Sequence, residues 1–341
     1  MSSSTAPSAP VSNGATASLA ARLLQGRYAG ALISLLLISV FLYLYQPVFL
    51  TWPNLMNIVK SNSVAFILAM GATLVVISGS MDLSFGSATT AAAMVFGLLL
   101  MAGVPLPLAM IGALLAGGLL GAINGYLVSH AGISFFVVTL GTLSVFQSLA
   151  LIVNDGGSIS VFSHPGFKAL NGFVNGNVGP VPIILIFDLV LFLALGFVLR
   201  FTAFGRALYS IGSNPEAARL NGINVRRVLF MVFVISGLTA GLASVVQVGR
   251  LTVASPEVDM NLLLTVLAAV LIGGTAMTGG EGGVLGTLIG VLFLGVVQNG
   301  LTLTGVSSFW QGALSGGILI FSVWLGGVRG MLRARRQARV G

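Results

Sequence analysis

Few side chains in this sequence can do chemistry, and their placing narrows what that chemistry is. Asp82 stands in Gly79-Ser80-Met81-Asp82-Leu83-Ser84-Phe85-Gly86-Ser87, between two apolar runs. An ionised carboxylate beside hydrocarbon is expensive and has to be paired or wet. Two uses fit it. The link is a helix break that lines a passage, with Asp82 accepting hydrogen bonds from solute hydroxyls. Alternatively, Asp82 caps the helix that follows, with Ser84 supporting it. Asn124, Gln298 and Asn299 also lie in apolar runs. Their amides suit a polyol, although bonds between helices are the commoner use of such groups. Asp82, Ser84, Asn124, Gln298 and Asn299 are therefore the candidate pathway residues. Asp188, inside another apolar run, is a functional candidate by its position alone. Gln247, Arg250, Glu257 and Asp259 suit either an external partner or a solvated loop, and Thr139, Gly141 and Thr142 read as a helix-packing face.

Other chemistries are excluded by what is missing. The chain has no Cys, so disulfides and thiolate catalysis are ruled out, and its two histidines, His130 and His164, make a His-rich metal site implausible. The glycines from Gly273 to Gly286 do not form a phosphate-binding loop. That motif needs Gly-Lys-Ser/Thr at its end, and no lysine follows Lys168. Without paired carboxylates or a metal cluster, a membrane-embedded enzyme ranks last among the functional readings.

The elements that must carry these residues follow from composition. Of 341 residues, 56% are hydrophobic and only 6% charged, and the mean hydropathy is +1.06. A soluble domain is about 25% charged, so most of this surface must face lipid. The 46 glycines suit close approach of membrane helices. Counting runs of roughly 20 apolar residues predicts spans near 29–50, 61–79, 84–103, 107–128, 133–153, 182–200, 228–250, 261–278, 284–303 and 308–327. The fold class expected is all-α, a polytopic bundle of about ten transmembrane helices. Residues 1–28 read as a disordered tail, 29–327 as the membrane domain and 328–341 as a basic tail.

The basic residues give the orientation. With both termini cytoplasmic, the inner side receives Arg22 and Arg27, then Arg200, Arg206, Arg219, Arg226 and Arg227, then Arg329, Arg333, Arg335, Arg336 and Arg339. That is twelve of the fifteen basic residues, leaving Lys60, Lys168 and Arg250 elsewhere. This asymmetry follows the positive-inside rule and requires an even number of spans. It also accounts for the net charge of +8 without nucleic acid. On the outer side, residues 154–180 read as a Gly/Asn/Pro-rich loop with room for a short surface helix.

The inner loop 201–227 holds a self-contained helix signal. Asn214 is a natural N-cap, Pro215 fits the first turn, Glu216 suits the positive end of the helix dipole, and Gly222 can take a left-handed stop. About two turns are too few to be stable alone in water, so such a helix makes sense docked against something else.

Glu216-Ala217-Ala218, three residues and then Gly222 resemble the EAA loop of ABC importer permeases. Gly79 to Ser87 is similar to the signature of ribose-type permeases. Thr202-Ala203-Phe204-Gly205-Arg206 with Ile211-Gly212-Ser213-Asn214 resembles that family's entry into the loop. Gly273-Gly274-Thr275, Gly279-Gly280, Gly282-Gly283 and Gly286-Thr287 match its glycine-rich C-terminal signature. The similarity runs from about Asn54 to Gly327. Ser80, Met81 and Phe85 depart from the pattern, and Gln147 stands where these permeases usually carry Arg. The resemblance implies a type II importer permease, working as a homodimer or with a similar permease. It implies cytoplasmic ABC ATPase subunits docked at Asn214, Pro215, Glu216, Ala217, Ala218, Arg219 and Gly222, the alanines allowing close approach. A periplasmic binding protein would deliver a monosaccharide or related polyol, in the bacterial inner membrane. No cofactor is expected on this chain, since ATP and Mg would sit on the ATPase. The alternative is a secondary transporter driven by an ion gradient, a class that usually carries more buried ionisable groups in its spans. Asn124-Gly125 before Ser134-Phe135, and Asn299-Gly300 before Ser308-Phe309, hint at an internal repeat.

Overall fold

The structure, a computed structural model, describes residues 28–307, 310, 312–321 and 324. The two tails, apart from Tyr28, and the Ser308-Phe309 half of the repeat lie outside the described residues. In chain order the helices are α1 (Ala29–Tyr45), α2 (Trp52–Ile77), α3 (Phe85–Met101), α4 (Leu106–Ser129), α5 (Phe135–Ile152), α6 (Phe167–Asn175), α7 (Ile183–Phe201), α8 (Ala203–Ser213), α9 (Pro215–Leu220), α10 (Val225–Leu251), α11 (Met260–Ile272) and α12 (Val284–Leu303). A thirteenth, α13, runs Gly312–Phe321. Two small ribbons pair β1 (Ile159–Ser160) with β4 (Val253–Ala254), and β2 (Asn177–Val178) with β3 (Val181–Pro182). Among the described residues α2, α4, α5, α7, α10 and α12 are long and apolar enough to cross a membrane; α1, α3, α11 and α13 are apolar but shorter.

An apolar helix stands at each place the hydrophobic runs predict, and the boundaries move for identifiable reasons. The second span was expected at 61–79, yet α2 begins at Trp52. Pro53 suits its first turn, and the polar residues that hid this stretch find partners on other helices, as Asn54 does on α12 and Lys60 does at the end of α6. The span expected to 278 stops at Ile272, where Gly273 meets the backbone of Gly286 and leaves no room for a side chain. The 154–180 loop contains α6, whose apolar side buries Leu170 and Val174 against the bundle.

From Asn62 to Ile77, α2 is buried on every side and forms the central post. It is surrounded by α7, α10, α11 and α12, while α3 and α4 pack on α10. The most extensive helix contact is between α4 and α10. Gly117 and Gly121 on one helix face Gly237 and Gly241 on the other, at a spacing of four on both. A methyl added to Gly121 would stand 2.9 Å from the Cα of Gly237, and one on Gly237 would stand 2.8 Å from the Cα of Gly121. Lipid chains are as apolar as leucine, so small residues that let backbones touch are what hold such a crossing together.

The packing face predicted at Thr139, Gly141 and Thr142 needs correction. Thr139 and Thr142 are buried, but Gly141 is exposed and a methyl there would meet nothing within 4 Å. Residues two apart on a helix do not share a face.

Candidate translocation site and coupling loop

The link between α2 and α3 places Asp82 at a junction of three helices. Its Oδ1 accepts from the Ser84 amide at 2.9 Å and from the Ser84 hydroxyl at 2.7 Å, and its Oδ2 accepts from the Ser236 hydroxyl on α10 at 3.3 Å. Asn124 on α4 donates to Ser84 Oγ at 2.7 Å. Asp82 is 4% exposed, Ser84 0% and Asn124 1%, so solute is shut out from all three in this conformation. Ser84, not Asp82, occupies the N-cap position of α3. Asp82 sits two residues earlier and holds the turn through the Ser84 amide. Asn124 Oδ1 is buried without a hydrogen-bond partner among the described residues.

Ser236 is the member of this cluster that the sequence reading passed over. A usable signal was present. Ser236 directly precedes Gly237 in a small-residue series continuing to Gly241, which marks the α10 face turned toward other backbones.

The remaining pathway candidates lie elsewhere. Asn299 and Asn54 exchange two amide bonds of 2.9 Å, and Asn54 also donates to the Phe49 carbonyl at 2.8 Å. Gln298 donates to Thr265 at 3.3 Å. Asn54 and Ile77 mark opposite ends of α2, separated by ~35 Å at the α-helical rise per residue. The five candidates therefore form two groups. Asp82, Ser84 and Asn124 cluster at the end where the 201–227 loop lies, and Gln298 and Asn299 sit toward the other. Trp52, half exposed, donates its indole N–H to the Pro180 carbonyl at 3.0 Å at that second end, as aromatic residues do at membrane interfaces.

Asp188 is also buried, accepting from Ser63 at 2.9 Å. It lies on a groove of about 170 Å³ between α2, α7 and α12, whose other walls include Asn62, Phe66, Leu189, Phe192 and Val291. Gln147 donates to the Pro256 carbonyl at 3.0 Å and so ties α5 to the segment after β4. Arg250 donates to the Ser61 carbonyl at 2.8 Å.

In the 201–227 loop the local rules play out residue by residue. Asn214 Oδ1 accepts from the Glu216 and Ala217 amides, both at 3.0 Å, and Pro215 opens α9. Gly222 takes φ +79°, while the Ile223 amide returns to the Ala218 carbonyl at 3.1 Å to close the helix. The two alanines differ in role. Ala217 is exposed, but Ala218 is 3% exposed and packs with Ile211 and Val225. Ala218 therefore fastens α9 to α8 and α10 and is not available for approach by a partner.

Behind α9 three segments meet through bare backbone. The Gly280 amide donates to the Ile77 carbonyl at 2.8 Å. A methyl on Gly212 would strike Ile77 and Gly280, and one on Gly279 would stand 2.6 Å from the Cα of Gly79. Tyr209 adds a bond of 3.0 Å to the Gly282 carbonyl. The end of α8, the α2–α3 link and the α11–α12 loop are thus a single contact.

An apolar bundle of this size, with polar groups paired between helices and a capped hairpin at one end, defines a multi-pass helical membrane protein. The chain belongs to the family described as branched-chain amino acid transport system / permease component, which matches residues 54–323. It is 36% identical over 304 residues to the D-allose transport system permease protein AlsC of Escherichia coli K12, covering 89% of this chain and 92% of that one. It is 35% identical over 297 residues to the ribose import permease protein RbsC of Bacillus subtilis, covering 87% and 91%. The L-arabinose ABC transporter permease protein AraH of Azospirillum brasilense is 33% identical over 295 residues, covering 86% of each. No solved structure matches the chain.

Proposed function

We propose that this chain is the membrane-spanning subunit of a bacterial inner-membrane ABC importer for a monosaccharide or related polyol. Ten spans with both termini cytoplasmic put α8, α9 and most of the arginines inside, where a separate ATPase docks. A periplasmic binding protein delivers the solute at the opposite end, and a second permease copy completes the passage. ATP and Mg belong to the ATPase. The chain changes no bond in its solute. The reading rests chiefly on α9, a two-turn helix capped at both ends and carried outside the apolar bundle, in a chain similar throughout to sugar permeases.

The mechanism follows from what α9 is attached to. Ala218 fastens it to α8, and the end of α8 bears directly on Ile77 and Gly280. ATP-driven displacement of α9 then reaches the α2–α3 link held by Asp82 and the loop between α11 and α12. Asp82, Ser84 and Asn124 keep the link in shape, and Gln298 and Asn299 join α11, α12 and α2 toward the delivery end.

The test is Glu216→Lys in the complete transporter reconstituted in proteoliposomes. It is expected to separate ATP hydrolysis from solute uptake while the binding protein still docks. Uptake at the parental rate per ATP would refute the coupling role. Proton- or sodium-driven uptake by this chain alone would replace the whole reading with a secondary transporter.

A further inference from the structure

Within the six residues of α9, Leu220 is out of keeping with its surroundings. It is 85% exposed, the highest value for a large hydrophobic side chain among the described residues. The next in rank, Leu44 at 77% and Ile320 at 73%, lie on apolar helices that face lipid. Leu220 lies instead on a polar hairpin between exposed Arg219 and exposed Asn221. The helix has no internal use for it, because Ala218 already makes the contact with Ile211 and Val225. The loop and its two edges also carry the exposed side chains of Arg200, Arg206, Arg219, Arg226 and Arg227, and Glu216 is the only acid between residues 201 and 227.

We propose that Leu220 is the apolar anchor of the permease–ATPase contact, seated in an apolar socket whose rim carries carboxylates. This rests on the reading of residues 214–222 as the coupling helix and adds the chemistry of the surface that receives it. A large side chain buried at the centre of an interface, ringed by polar groups, supplies most of the affinity. The arginines, at the rim, steer the approach and make it sensitive to salt. A membrane surface is the poorer match, because helices that lie on lipid present a stripe of several apolar residues and α9 presents one.

The experiment measures binding of the cognate ATPase subunit to the permease in nanodiscs, as a function of salt. Leu220→Ala is expected to raise Kd about tenfold, Leu220→Met to bind nearly as the parent does, and the slope against salt to stay unchanged in both. Arg226→Gln with Arg227→Gln is expected to flatten that slope. Leu220 is 85% exposed and adds little to the fold's own packing, so thermal unfolding of the variants should match the parent. If Leu220→Ala binds normally while replacing 214–222 by Gly/Ser abolishes binding, the coupling helix stands and the anchor is refuted. If that replacement also binds normally, both readings fall. If Leu220→Ala keeps the ATPase but loses affinity for vesicles containing phosphatidylglycerol, Leu220 is a membrane contact and the proposal is overturned.

Discussion

Replacing Asp82 separates a structural carboxylate from one that touches solute. Asp82→Ala leaves three buried donors without their acceptor: the Ser84 amide, the Ser84 hydroxyl and the Ser236 hydroxyl. A buried donor left unmet costs about 1–3 kcal/mol. The two hydroxyls can rotate toward other acceptors, but the amide cannot. The expected loss is therefore about 2–4 kcal/mol, with the Ser84 amide the firmest part of it. Asp82→Asn keeps an oxygen for Ser84 and turns an amide toward Ser236, whose bond is the longest of the three, so its cost should be nearer ~1 kcal/mol. Thermal unfolding of the purified permease in detergent should rank parent, Asn and Ala in that order. Uptake measured in proteoliposomes should show an unchanged KM for solute in the Asn variant. Equal stability of Ala and parent would refute the cluster as the support of the α2–α3 link. A raised KM in Asp82→Asn with unchanged unfolding would return the residue to the solute path.

Two further outcomes follow from the packing. Gly121→Ala forces α4 and α10 apart, at about 1–3 kcal/mol for overpacking, whereas Gly141→Ala meets open space and should unfold no earlier than the parent. A double-mutant cycle on Asn54→Ala and Asn299→Ala should give a coupling of about 1 kcal/mol; additive losses would show that the paired amides act separately.

The bundle was legible in the sequence because one physical requirement, about 20 apolar residues per crossing, leaves its mark locally. The α9 helix was legible for the same reason, since Asn214, Pro215 and Gly222 each act on neighbours within a few residues. What stayed hidden was every polar pairing across the bundle. Ser236 finds Asp82 at a separation of 154 residues, Asn299 finds Asn54 at 245 and Asp188 finds Ser63 at 125. Each side chain looks alike whether its partner is a helix or a solute, because the cost of leaving it unpaired is the same. The late start predicted for α2 has this origin too, since a polar stretch reads as loop until its partners are known. Ala218 shows a different limit. A small residue suits either side of a thin helix, and only the packing of Ile211 and Val225 says which.

The meeting of Ile77, Gly79, Gly212 and Gly280 has a mechanical consequence. Contacts through side chains are springs, because a rotamer change can absorb a displacement of an ångström or more before the backbone follows. Where main chain rests on main chain there is no such slack, and the joint behaves as a rigid gear. On the proposed coupling role, a displacement of Ser213 would pass to the end of the central post with little loss. The sequence at this joint is held to glycine by stiffness as much as by space.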